Sequence, residues 1–553
     1  MNTYNEETRH QFERTLGWLN QWACARTYGL GSKVPFDEKF LIESLSDSTI
    51  YMTYYTIAHY LHSSLDGTKP GLFNIAPEEM DDAAWDYVLL GKELPTGHSA
   101  ADRLPELRKS FLYWYPLDIR SSGKDLIQNH LTFFLYIHTA LFPDNLPLSV
   151  RCNGHLLLNG EKMSKSTGNF MTLRECVCKY GADATRLSLA DAGDGLDDAN
   201  FEESTANATI LRLYTLYEWI TDAVKAIRGE HAPEVKVRPA DSPLTLIDRI
   251  FKSEIERLSK ETERAYDKML YRDALKTGFY DFLAARDWYR EVTSAEGMHP
   301  SLVGTYIERQ ILILAPITPH WAEKVWVEVL GKPESIMKAT WPAKEIPGTF
   351  DLPLLAAGEY IRDVVKAIRD AEAQLLKKKG GKKNVKGPAG PEFDPKAPKE
   401  LAVCVAADFP EWQTVAVDAV KENYDADSDK FDDAAIRAAL GKKGLLKDKK
   451  VMPFVQEIKK RVVLLGPTVA FDRALPFNEL EVLYTIQNYI LNSIGYQKVH
   501  IIDLSSVNDG EKGLASMLVG SGNESQVDIV AKEAKRAIDL AVPGQPGFII
   551  RNI

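Results

Sequence analysis

Apolar positions along this 553-residue chain change their period several times, and each change marks a predicted element. In NEETRHQFERTLGWLNQW, Phe12, Leu16 and Leu19 recur at helical spacing. RTYGLGSKVP then breaks regular structure with two glycines and a proline. IYMTYYTIAHYLHSSL predicts an aromatic-rich helix closed by Asp66-Gly67. Residues 113–142 predict a strand, a turn at Gly123 and a helix carrying Leu126, Ile127, Leu131, Phe134, Leu135, Leu141 and Phe142. In α/β folds ligands gather at such a junction, beyond the carboxyl end of a strand. Asn153-Gly154 predicts a hairpin turn between short strands. NGEKMSKSTGNF at 159–170 leaves that hairpin, and TLRECVCKYGADATRLSLA predicts helices.

Between 203 and 345 four amphipathic segments of bundle-like length follow one another. Residues 376–400 read as a linker, with six lysines between Lys377 and Lys386 followed by four prolines. Beyond it, LAVCVAA and KVHIIDL predict strands around helices such as FNELEVLYTIQNYILNSI, a small α+β domain from 401 to 553. No internal repeat is evident.

Composition narrows this picture only modestly. A hydrophobic content of 45% and a charged content of 26% suit a globular protein with a large core. The length predicts three or four domains at about 150 residues each. A net charge of −11 makes no general case for a nucleic-acid binder, although a local basic patch fits within that sum. Cys24, Cys152, Cys176, Cys178 and Cys404 form no C-x-x-C pair and no zinc framework, which suits a reducing compartment. The polar amino terminus has no signal core, and no apolar run approaches the ~18 residues of a membrane span. A soluble cytoplasmic protein is expected.

The loop at 159–170 carries the candidate chemistry. Lys162 and Lys165 stand three apart among serines, between Gly160 and Gly168. A departing pyrophosphate gathers negative charge, and its transfer is accelerated mainly by positioning and by cations aimed at that charge. Lysine suits a loop that approaches and withdraws, and Ser164 and Ser166 add donors. Composition alone favours a solvated turn.

The order of residues favours the clamp. KMSKS is similar to the second signature of class I aminoacyl-tRNA synthetases, and NGHLLLNGEKMSKSTGNFMTL resembles the leucyl family of the cytosolic eukaryotic and archaeal type. FERTLGWLNQWACARTYGLG, YPLDIRSSGKDLIQNHLTFFLY, ADAGDGLDDANF and LAPITPHWAEKVW resemble the same family in the same order. The resemblance implies an α/β fold, the second half of a Rossmann-like class I catalytic domain, followed by an α-helical bundle and a small α+β domain. The expected regions are 1–147, second half of the catalytic domain; 148–202, the KMSKS hairpin loop and stem-contact region; 203–345, an anticodon-binding-type bundle; 346–400, a helix and Lys/Pro linker; and 401–553, a tRNA-contacting domain.

It also implies leucine–tRNA ligase activity. ATP with Mg²⁺ activates leucine to the adenylate, and tRNA(Leu) takes the acyl group. Lys162 and Lys165 would be catalytic, with Lys165, Ser164 and Ser166 on the ATP phosphates. Gly123 would let the backbone approach the nucleotide; Asp125 would accept from a ribose hydroxyl or cap the next helix. His130 lines an adenine pocket or is a structural histidine. Lys377, Lys378, Lys379, Lys382, Lys383, Lys386, Lys449 and Lys450 are the local attractors for RNA phosphates, against solvated linker and helix surfaces. Trp114, Trp321 and Trp326 are expected as core anchors, and no metal site is expected in the protein.

The chain departs from its family in one respect: it has no His-x-Gly-His signature. The expectation is a carboxyl-terminal portion without the first strands or the editing domain, inactive alone. The missing amino-terminal half or other synthetase-complex proteins would be its partners. The competing reading is a noncatalytic tRNA-binding or scaffolding fragment.

Overall fold

The computed structural model describes residues 1–19, 21–341, 350–377, 393–426, 430–519 and 524–553. It divides into two compact units. One comprises Met1–Tyr217, Glu261–Lys276 and Leu314–Lys324, and the other Glu218–Lys260, Thr277–Ile313 and Val325–Ile553.

The first unit opens with the helix Glu6–Trp18, capped by Asn5, whose side chain accepts from the Thr8 amide. Phe12 is buried as its spacing predicts, but Leu16 is exposed, since the helix buries a narrow stripe. β1 (Ala25–Arg26), β2 (Lys33–Val34) and β3 (Asp37–Ile42) form an antiparallel sheet in the order β1-β3-β2. The expected aromatic helix after residue 50 is broken into Tyr51–Tyr55 and Ala58–Leu61. Its β-branched and aromatic residues are poor helix formers, and Ile57 turns wholly into the core between the two pieces. Trp114, expected as a core anchor, ends the Leu104–Trp114 helix and is 57% exposed; that helix buries Leu104, Leu107 and Phe111 instead.

β4 (Arg120–Gly123), the helix His130–Leu141 and β5 (Val150–Asn153) make a parallel strand–helix–strand unit, with Gly123 opposite Asn153 in register. Ile127 and Leu131 of the connection pack with Val150 and Cys152. Beside β5, Asn2 bridges to Ser149 in parallel and exchanges backbone hydrogen bonds with Leu148 and Val150.

β6 (Leu156–Leu158), β7 (Glu161–Lys162) and β8 (Ala199–Phe201) form a second small sheet, β7 antiparallel and β8 parallel to β6. The hairpin turn therefore is not Asn153-Gly154, because β5 and β6 do not pair. It is Asn159-Gly160, both left-handed at φ 52° and 83°, as a two-residue turn requires. Gly154 is needed for space: a Cβ there would lie 2.2 Å from the Asp197 carbonyl oxygen. The helices Leu173–Tyr180 and Ala182–Ala192 follow as predicted.

In the second unit, Phe251, Tyr289, Phe282 and Tyr306 build an aromatic core, with the Phe251 and Tyr289 rings stacked at 4.1 Å. Buried Asp248 is paired with Arg238 and accepts from the Tyr289 hydroxyl, so its charge is compensated. A further sheet has the order β12-β9-β13: β9 (Lys399–Val405) pairs in parallel with β12 (Lys498–Asp503) and antiparallel with β13 (Gly547–Asn552). The helix Glu479–Ser493 precedes β12. A short ribbon, β10 (Tyr424–Asp425) with β11 (Lys430–Phe431), lies beside a helical cluster around Val420, Ile436 and Val455. The strands predicted at LAVCVAA and KVHIIDL are present; β13 was not predicted. Among the described residues no helix is long and apolar enough to cross a membrane.

Candidate functional site: a lysine loop beside the strand ends

The lysine loop is packed at both ends and hydrogen-bonded to itself in the middle. Met163 and Met171 pack into a cluster containing Leu158, Cys176, Tyr180, Ala184 and Phe201. Between them the Ser164 amide donates to the Asn169 carbonyl at 2.9 Å, and the Gly168 amide donates to the Lys165 carbonyl at 3.3 Å. The Asn169 side chain reaches back to the carbonyls of Leu158 and Lys162 at 3.4 and 3.5 Å. Ser164 and Ser166 share a hydrogen bond of 2.8 Å between their hydroxyls.

Lys162 and Lys165 are exposed, and neither ammonium has an ion-pair partner among the described residues. Two cations are thus presented on a backbone fixed by its own hydrogen bonds. Charge held out in this way, without a counter-ion to displace, suits an incoming polyphosphate.

The foundation of the hairpin was not visible in the sequence. Asn159 and Glu203 bond reciprocally, and the Gly160 amide donates to Asn200 Oδ1 at 2.7 Å. Glu203 also accepts from Lys179 and Tyr180, and these bonds pull its carboxyl down to about 2.

At the carboxyl ends of β4 and β5 a second polar group assembles. Lys124 pairs with Asp198 at 2.7 Å, and the His155 amide donates to the same carboxylate at 2.9 Å. The His155 ring lies between Asp125 (3.8 Å) and Asp198 (3.6 Å). Asp125 is exposed and does not cap the following helix; the Asn129 side chain does that, accepting from the His130 amide. A Cβ on Gly123 would meet Asp125 Oδ1 at 2.6 Å, so the bare backbone leaves room for that carboxylate. His155 received no role from the sequence, since only the fold brings it to Asp125 and Asp198.

His130 is buried against Tyr51, with Nδ1 2.9 Å from the Ser48 hydroxyl and burial lowering its pKa. Trp321 and Trp326 are half-buried, donating to the carbonyls of Leu213 and Glu334.

A cavity of 630 Å³ lies next to the strand ends, bordered by Asn153, Gly154 and His155. Two arginines also border it. Arg151 donates to the Asp194 and Met269 carbonyls, and Arg186 to those of Pro316 and Ile317.

Of the RNA-directed lysines, Lys378, Lys379, Lys382, Lys383 and Lys386 lie outside the described residues, and Lys377 ends the helix Leu352–Lys377. Lys449 and Lys450 are exposed, as are Lys442, Lys443 and Lys447, and none of the five has an ion-pair partner among the described residues. No group of three or more metal-ligating side chains occurs among the described residues.

Three family models match the chain. Residues 107–212 match tRNA synthetases class I (M), 248–386 the anticodon-binding domain of tRNA ligase, and 405–475 the RagD-binding domain of leucine–tRNA ligase. The putative cytoplasmic leucine–tRNA ligase of Schizosaccharomyces pombe is 46% identical, across 100% of this chain and 48% of its own length. The cytoplasmic enzyme of Neurospora crassa is 45% identical over the same shares, and that of Pongo abelii 43% over 92% and 42%. The chain spans about half the length of the curated relatives it matches. With its signature loop, and similarity that runs along this whole chain and about half of each of these enzymes, the chain belongs to the leucine–tRNA ligase family.

Proposed function

We propose that this chain supplies the phosphate-binding loop and tRNA-contacting surfaces of a cytoplasmic leucine–tRNA ligase. Leucine's carboxylate attacks the α-phosphate of ATP, pyrophosphate leaves, and the terminal ribose hydroxyl of tRNA(Leu) takes the acyl group. Lys162 and Lys165 neutralise the departing pyrophosphate, with Ser164 and Ser166 as donors to ATP, whose Mg²⁺ arrives with the substrate. Gly123 and Asp125 meet the ribose, and His155 holds Asp125. His130 shapes this region from behind, through Ser48 and Tyr51, rather than touching the base.

The observation that carries this reading is a pair of exposed ammonium groups, without an ion-pair partner among the described residues, on a loop anchored by Met163 and Met171. The exposed lysines at 442–450 and the anticodon-binding match support contact with the tRNA backbone. The match over 405–475 supports a protein partner at that segment.

The test is ATP–pyrophosphate exchange by the full-length gene product carrying Lys162→Ala and Lys165→Ala. Exchange should fall by about a hundredfold or more while thermal stability barely moves. Undiminished exchange would remove the clamp. A variant that exchanges normally yet loses tRNA in a mobility-shift assay would favour a loop serving only RNA.

A further inference from the structure

A second cavity, of 280 Å³, lies at the carboxyl ends of the parallel strands β9 and β12. Val405 and Asp503, register partners at those ends, both border it. So does the start of the helix Glu479–Ser493, which gives the crevice where open α/β sheets take ligands.

Two side chains of opposite charge border this space. Arg473 is stacked over Phe409, its guanidinium carbon 3.4 Å from the ring centroid, and donates to the neutral Gln413. Burial, and then repulsion from Arg461, lower its pKa, as expected for a cation without a counter-charge. Asp503 uses one oxygen, Oδ1, to accept from the Ser505 amide and hydroxyl at 2.9 and 2.7 Å, which leaves Oδ2 open. No ion pair joins Arg473 to Asp503, or either to any other described residue.

The remaining polar groups at the rim are engaged. Glu479 accepts from the Tyr360 hydroxyl at 2.6 Å and the Gly544 amide at 3.0 Å, and Asn478 caps its helix through the Glu481 amide. Val405, Leu475, Leu480 and Pro543 add aliphatic lining.

Opposite charges that border one partly aliphatic cavity without pairing match a small zwitterion with a hydrocarbon side chain. A lone anion would meet Asp503, and a lone cation would meet Arg473; a molecule carrying both ends satisfies each. We propose that this cavity binds a free aliphatic α-amino acid, with its carboxylate on Arg473, its ammonium on Asp503 and its side chain against the aliphatic wall. The site is independent of the lysine loop.

The experiment is ligand-observed saturation-transfer NMR on the purified full chain. The probes are L-valine and isovalerate, which lacks the ammonium group. Valine should bind saturably, and Asp503→Asn should weaken it about tenfold or more while isovalerate, relieved of a facing carboxylate, binds no worse. Arg473→Gln should weaken both probes, and Arg473→Lys should restore part of the loss. Asparagine retains the oxygen that caps Ser505, so Asp503→Asn tests the site even if Arg473→Gln fails to fold. Absence of saturable valine binding, or valine binding indifferent to Asp503→Asn, would overturn the proposal.

Discussion

Asn159 Nδ2 donates to Glu203 Oε2 at 3.0 Å, and the Glu203 amide donates back to Asn159 Oδ1 at 3.1 Å. The turn of the lysine hairpin and the first residue of the helix Glu203–Ile227 are thereby locked from both sides. Asn159 is also left-handed, at φ 52°, a conformation asparagine tolerates and alanine resists. Asn159→Ala should therefore cost roughly 2 kcal/mol in urea unfolding, from the lost bonds and the backbone penalty together. Asn159→Gly should cost less, since glycine removes only the bonds. Equal losses in the two variants would show that the backbone conformation contributes nothing.

The same carboxylate makes an acid-sensitive joint. Lys179, Tyr180 and Asn159 pull Glu203 from 4.5 to about 2, so the folded chain binds this proton less readily than the unfolded one. Its contribution is complete above pH 4.5 and is lost as the pH falls toward about 2. Unfolding midpoints measured across that interval should fall less steeply in Glu203→Gln than in the parent chain.

His138 titrates in a different window. It is fully buried against Phe134 and Tyr115, and burial lowers its pKa from 6.5 to about 4. As the pH falls from 6.5, the unfolded chain gains a proton that the folded chain refuses, and stability declines until about pH 4. The slope from this one group is at most about 1.4 kcal/mol per pH unit. His138→Gln should flatten stability between those limits; an unchanged slope would assign it to other groups.

Gly154 is a steric requirement rather than a turn residue. Gly154→Ala would bring a methyl group to 2.2 Å from the Asp197 carbonyl oxygen and 2.8 Å from that of Leu196. The backbone beside His155 must then shift, and thermal unfolding should report a loss of about 1–3 kcal/mol. A fully stable variant would mean that the 195–198 loop yields at no cost.

The sequence by itself determined the lysine loop, the Gly123 junction, the long amphipathic helices and the strands β9 and β12. These depend on local periodicity and on motif order, both of which are written in consecutive residues. Tertiary structure decided which Asn-Gly pair turns the hairpin. Asn153-Gly154 and Asn159-Gly160 have the same local chemistry, but β6 pairs with β7 and not with β5. It also decided that His130 is buried while His155, with no local signal, lies between two carboxylates. Trp114 ended on the surface because its helix turned another face inward. The meeting of Asn159 with Glu203, and the placing of Arg473 and Asp503 on one cavity, follow from long-range packing. Hydrogen bonds and charges act over a few ångströms, and only the fold fixes distances between residues tens of positions apart.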